Sequence, residues 1–116
     1  MLQFITHCRG RHNEISGTRA VLEGGCRWVQ LRMKGASESE LLPVGRTVGE
    51  LCRSFEAVFI IDDRVDLVEA LGADGVHLGK NDMPVAEARK ILGESKIIGA
   101  TANTVADMLA AAEAGA

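Results

Sequence analysis

The chain has 116 residues, 47% of them hydrophobic and 25% charged, with a formal net charge of -3. That length buries one core and leaves no room for two full domains. The composition excludes a disordered chain, and the acidic balance with one Trp and no Tyr argues against a nucleic-acid surface.

No apolar run approaches the roughly 18 residues of a membrane span. The start, Met1-Leu2-Gln3-Phe4-Ile5-Thr6, has no basic region and no long apolar stretch, so a cytoplasmic protein without a signal peptide is expected. Cys8, Cys26 and Cys52 are an odd, widely spaced set, which favours neither a disulfide framework nor a zinc site.

Two periods alternate along the chain. Residues 2–6, 28–33, 57–61, 75–78 and 96–100 read as short apolar strands. Helical patterns fill the intervals, at 16–24, 38–54, 64–72, 84–92 and 104–114. Punctuation supports the helices. Ser37 with Glu40 fits a capping box, Thr104 with Asp107 resembles another, and Asp82 before Met83-Pro84 fits an N-cap region. Gly24, Gly72 and Gly93 stand where left-handed C-caps are wanted.

Five βα units with a repeat of about 23 residues predict a parallel sheet covered by helices. Two architectures fit. One is a five-stranded doubly wound sheet of the response-regulator kind. The other is the first five units of a (β/α)8 barrel, with residues 1–116 as the N-terminal part of a single barrel domain. The chain stops after a helix-end signature, "AAEAGA", which favours the barrel.

The second strand carries the first functional signal. It runs Val29-Gln30-Leu31-Arg32-Met33-Lys34. Alternation places Val29, Leu31 and Met33 on one face and Gln30, Arg32 and Lys34 on the other. Strands of a parallel sheet are covered on both faces, so an amide and two cations there need partners. A cationic stripe rising to the carboxyl ends of the strands suits a phosphate or diphosphate.

Carboxylates follow at the next strand ends: Asp62 and Asp63 after the third, Asp82 after the fourth. Asp63 and Asp82 on successive loops are a donor set for Mg²⁺, with phosphate oxygens completing the shell. Without a divalent cation, a diphosphate facing three carboxylates would be repelled, at about 4 kcal/mol per charge pair at 4 Å and an effective dielectric near 20. His77 lies between Gly75 and Gly79, which leave room for a ligand or a close backbone. Thr101 offers a hydroxyl after the fifth strand, where Gly99 would admit a ligand. His7 and His12 show no partners in the sequence.

These segments resemble the thiamine-phosphate synthase family, which also includes the thiazole tautomerases. "VQLRMK" looks like its Q-x-R-x-K strand, and "FIIDDR" like its I-N-D-R segment. "GADGVHLGKND" is similar to G-A-D-G-V-H-L-G-x-x-D, and "IIGATANT" to the I-G-x-S segment. The resemblance covers essentially the whole chain.

It implies a (β/α)8 barrel and a Mg²⁺-dependent transferase of thiamine biosynthesis. Such an enzyme joins hydroxymethylpyrimidine diphosphate to thiazole phosphate, giving thiamine phosphate and pyrophosphate. By position, Gln30, Arg32, Lys34, Asp62 and Thr101 would bind the pyrimidine diphosphate, and Asp63 and Asp82 the metal. The partners implied are these small molecules, with no nucleic acid or membrane, and a homo-oligomer is compatible with it.

The sequence departs from the pattern in places. Asp62 stands for Asn, Thr101 for Ser and Lys80 for the frequent Gln, and Asn103 falls near a His that the tautomerases need. The family's T-x-T-K segment and glycine-rich phosphate loops are not found, so residues 1–116 alone are expected to be inactive. A response-regulator domain would want an acidic pair after the first strand and a Lys after the fifth, where Thr6-His7 and Thr101-Ala102 stand.

Overall fold

The computed structural model describes residues 3–6, 14–33, 35–79, 82–101 and 105–116. Strands and helices alternate along these residues. They are β1 (Phe4–Ile5), α1 (Glu14–Glu23), β2 (Trp28–Leu31), α2 (Glu38–Ser54) and β3 (Val58–Asp62). A 3-10 turn over Val65–Leu67 then leads into α3 (Val68–Leu71), followed by β4 (Gly75–Leu78), α4 (Val85–Leu92), β5 (Ile97–Ala100) and α5 (Val105–Ala114).

The five strands form one parallel sheet in the order β1-β2-β3-β4-β5. This order decides between the two architectures. A response-regulator sheet winds both ways from its first strand and reads 2-1-3-4-5. A sheet that advances in one direction, with right-handed crossovers, carries its helices on one face. The response-regulator reading is therefore excluded.

The core confirms the one-sided cover. Val29, Leu31, Phe59, Ile61, Val76, Leu78 and Ile98 pack in one cluster with helix residues such as Leu22, Val48, Val68 and Ala88. The alternate strand residues Gln30, Ile60, Gly75, His77 and Gly99 stand on the opposite, inner face. Ile60 is buried, yet it is not part of that cluster.

Helix α2 lies closest to the sheet. Its buried positions Leu41, Val48, Leu51 and Cys52 follow helical spacing. Gly49 allows the approach, since a Cβ there would lie 3.1 Å from Phe59 Cε2, and Gly45 lets α2 close on α3, where a Cβ would lie 2.7 Å from Leu71 Cδ1. The helix starts at the predicted cap, where Ser37 Oγ accepts from Glu40 N at 3.3 Å and donates to its carboxylate.

Other punctuation differs from expectation. Gly72 is the left-handed C-cap of α3, as expected, whereas after α1 the positive φ falls on Gly25, not Gly24. Gly93 has positive φ with an extended ψ, so it ends α4 without an αL turn. Asp82 does not cap α4, whose N-cap is Pro84 without a side-chain bond. The cap expected at Thr104 lies outside the described residues.

Candidate functional site

The inner face presents two rungs near the carboxyl ends of the strands. Register pairs Gln30 with Ile60, Ile60 with Gly75 and Gly75 with Ile97. One rung further on, Asp62 pairs with His77, and His77 with Gly99. The lower rung is apolar except for Gln30, and the upper one is polar.

Gln30 is 3% exposed, and its amide nitrogen has no hydrogen-bond partner among the described residues. An unmet buried amide costs about 1–3 kcal/mol. A carboxamide left in that condition, on the face away from the core, is a group that a ligand can satisfy.

Arg32 follows the end of β2 and is exposed. Its backbone is held by Thr6, a fully buried residue whose Oγ1 accepts from Arg32 N at 3.0 Å. Thr6 N in turn donates to Gln30 O at 2.9 Å. The hydroxyl thus continues the β1–β2 ladder past the strand and fixes where the arginine leaves the sheet. Lys34, the third member of the stripe, lies outside the described residues, as do Lys80 and Asn103.

Asp62 ends β3 on the inner face and is half-buried. Asp63 has φ +62°, a left-handed conformation that Asp tolerates better than most residues. One bond closes the turn around it, Arg64 N donating to Asp62 O at 2.8 Å, while Asp63 N donates to His77 O at 2.8 Å. Strain of this kind costs about 1–3 kcal/mol and gathers at functional sites. Neighbouring Arg64 is turned to Asp66, with Nη2 to Oδ2 at 2.8 Å, and this bond holds the Asp66 carboxyl below its usual range.

Asp82 curls back on its own loop. Its Oδ2 accepts from Gly79 N at 2.7 Å, and its N–H donates to Gly79 O at 3.2 Å. Gly79 therefore serves the carboxylate, since a Cβ there would lie 3.0 Å from Asp82 Oδ2. Gly75 likewise leaves no room for a ligand: a Cβ would lie 2.0 Å from Ile97 O, in space taken by the backbone of β5. Gly99 makes room for the imidazole of His77, whose Nδ1 would lie 3.1 Å from an added Cβ. Gly75 thus shows the close backbone approach that was one of its two expectations, while the spaces at Gly79 and Gly99 are filled by side chains of the chain itself.

His77 has a side-chain partner just past the end of β5. It is half-buried, and its Nε2 lies 3.0 Å from Thr101 Oγ1. Its alternation with Gly75 on the inner face was the available signal. Thr101 itself is exposed, with its N–H on Leu78 O at 3.0 Å. Beside it lies an open cleft of about 250 Å³, lined by Gly79, Asp82, Met83, Ala100, Thr101 and, from α5, Asp107 among others.

A one-sided parallel βα sheet with a buried carboxamide, a cation, strand-end carboxylates and a hydroxyl at its carboxyl edge defines an α/β protein with a polar candidate site at the carboxyl ends of its strands. Comparison with known proteins narrows this class. Residues 2–116 match the family described as thiamine monophosphate synthase. Thiamine-phosphate synthase of Bacteroides fragilis is 52% identical over 107 residues, 92% of this chain and 52% of its own length. That of Phocaeicola vulgatus is 52% identical over 115 residues, 99% of this chain and 55% of its own. The structure of thiamine phosphate pyrophosphorylase from Pyrococcus furiosus superposes with a TM-score of 0.91 at 39% identity, covering 98% of this chain and 55% of that one. The chain belongs to the thiamine monophosphate synthase family, and it spans about half the length of the curated relatives it matches.

Proposed function

We propose that the protein is a thiamine-phosphate synthase, joining hydroxymethylpyrimidine diphosphate to thiazole phosphate with release of pyrophosphate. The five βα units are read as the first part of a closed (β/α)8 barrel. Their sequential strand order and one-sided helical cover support that. The observation that carries the site is the buried, unpartnered amide of Gln30 below a polar rung of Asp62 and His77.

In this reading Gln30 turns its amide to the substrate from inside the sheet. Arg32, at the mouth, places its guanidinium fork on the diphosphate, with Lys34 as a second cation. The Thr101 hydroxyl donates to a diphosphate oxygen, and Asp62 adds a contact on the upper rung. These groups stabilise charge that builds on the leaving diphosphate as its bond to the pyrimidine methylene carbon breaks and the thiazole nitrogen bonds to that carbon.

The donor set also fits Mg²⁺. Asp63 and Asp82 bring oxygen ligands from consecutive loops, and one or two carboxylates with substrate phosphates are a usual magnesium environment. No group of three metal-ligating side chains occurs among the described residues, so substrate and water would complete the shell. Mg²⁺ there would neutralise diphosphate charge. The loop bond from Gly79 N to Asp82 Oδ2 holds that carboxylate in place.

The test is direct. The full protein with both substrates and Mg²⁺ should form thiamine phosphate and pyrophosphate in equal amounts. Gln30→Met, which keeps the volume and removes the amide, should raise KM for the pyrimidine substrate. Absence of product from folded wild-type protein overturns the reading.

A further inference from the structure

The bond between His77 and Thr101 joins two strands through side chains at the site's upper rim. His77 is flanked in register by Asp62 and Gly99, so its ring stands on the inner face. Gly99 supplies the space for it, because a Cβ there would lie 3.1 Å from Nδ1. The ring reaches across β5 to the residue two places further on, where Nε2 meets Thr101 Oγ1 at 3.0 Å. Thr101 is exposed, and without this contact its hydroxyl would rotate among staggered positions.

A hydroxyl has one proton to give and two lone pairs. If Thr101 gave its proton to His77, only lone pairs would face an anionic ligand. If Nε2–H donates to Oγ1 instead, the hydroxyl proton is free to point into the mouth. We propose that His77 is a positioning residue, held as the Nε2–H tautomer, which orients the Thr101 hydroxyl as a donor to the diphosphate. Gly99 takes part by admitting the ring. This inference rests on the function proposed above.

A double-mutant cycle in the full protein tests it, with thiamine phosphate formation as the readout. Thr101→Val and His77→Leu should each lower kcat by about tenfold, the worth of one hydrogen bond. The double variant should be no slower than Thr101→Val, since His77 acts only through that hydroxyl. KM for thiazole phosphate should not change. His77→Gln, whose amide nitrogen lies as many bonds from Cα as Nε2, should recover most of the rate. Multiplying losses in the double variant, or a His77→Gln variant as slow as His77→Leu, would overturn the proposal.

A second measurement is independent of activity. Nitrogen-15 NMR of the histidines should show the Nε2–H tautomer at His77, with its resonance shifted in Thr101→Val. An Nδ1–H tautomer refutes the proposal. Should the wild type make no thiamine phosphate, the function reading fails and the diphosphate role of Thr101 falls with it, whereas an Nδ1–H tautomer in an active enzyme overturns this inference alone.

Discussion

Leu31 and Arg32 are adjacent in sequence and should behave as opposites. Leu31 is fully buried in the core between the sheet and its helices, whereas Arg32 is exposed at the mouth. Leu31→Ala deletes three carbon groups, worth about 2.4 kcal/mol at about 0.8 kcal/mol each. The cavity left in a packed interior raises the expected loss to about 3–5 kcal/mol. Arg32→Ala removes a solvated side chain and should change stability by less than about 0.5 kcal/mol. Urea unfolding of the full protein measures both, and Trp28, the sole tryptophan of these 116 residues, lies three residues away as a fluorescence reporter.

Binding of pyrophosphate with Mg²⁺, followed by calorimetry, should show the reverse order. Arg32→Ala should weaken it about tenfold to a hundredfold, the range for a charge-assisted hydrogen bond. Leu31→Ala, while folded, should bind within about twofold of wild type. If Leu31→Ala bound poorly without losing stability, or Arg32→Ala were destabilised with binding intact, the two faces of β2 would be reversed.

Gly75→Ala should destabilise the protein by about 3 kcal/mol, the upper end for overpacking, because the new Cβ meets backbone at Ile97 O and not a movable side chain; a loss under about 1 kcal/mol in urea unfolding would contradict the β4–β5 register. Asp63→Gly should relieve the left-handed strain and raise stability by about 1 kcal/mol, while magnesium-dependent turnover is lost; turnover near wild type would remove Asp63 from the metal site. The Cys52 thiol is pushed from 9.0 up to about 12 by burial first, then by Asp74 and Cys26. A raised folded-state value means its contribution to stability is whole below about pH 9 and is lost as pH rises toward 12; urea midpoints from pH 8 to 11 should therefore fall less in Cys52→Ala than in wild type. Arg89 donates to the carbonyls of Gly93 and Lys96 and also to Gly115 O, so Arg89→Ala should free the end of α5, seen as faster amide exchange there.

The alternation of strand and helix was legible because each element has its own hydrophobic period. Strand order was not, because βα repeats feed both singly and doubly wound sheets, and choosing between them takes the pairing of β1 with β2 alone and not with β3. At the site, the carboxylates were legible from their place after strands. Of the glycine roles, only the close backbone at Gly75 was among the expectations, and there beside ligand space. A missing side chain in a sequence does not say what fills its space: at Gly75 it is the β5 backbone, at Gly99 an imidazole and at Gly79 a carboxylate. The His77–Thr101 bond depends on the β4–β5 register, a tertiary fact that neither strand carries by itself.

Hydrogen bonds to neighbouring strands fix backbone positions at the mouth. Ladder contacts continue past the strands into the site: Thr6 Oγ1 takes Arg32 N, His77 O takes Asp63 N, and Leu78 O takes Thr101 N. Arg32, Asp63 and Thr101 are thus anchored through their backbones to the neighbouring strand, whereas Asp82 is held within its own loop. Dipoles fixed in this way need no reorganisation when charge develops near them, which is where most electrostatic catalysis comes from. The same anchoring carries a cost in the sequence. Gly75 and Gly99 cannot carry side chains without moving backbone or ring, and Asp63 must sit in a conformation that Gly would adopt more easily. Non-glycine residues are kept in such positions when the side chain is needed there, and the metal role proposed for the Asp63 carboxylate would be such a need.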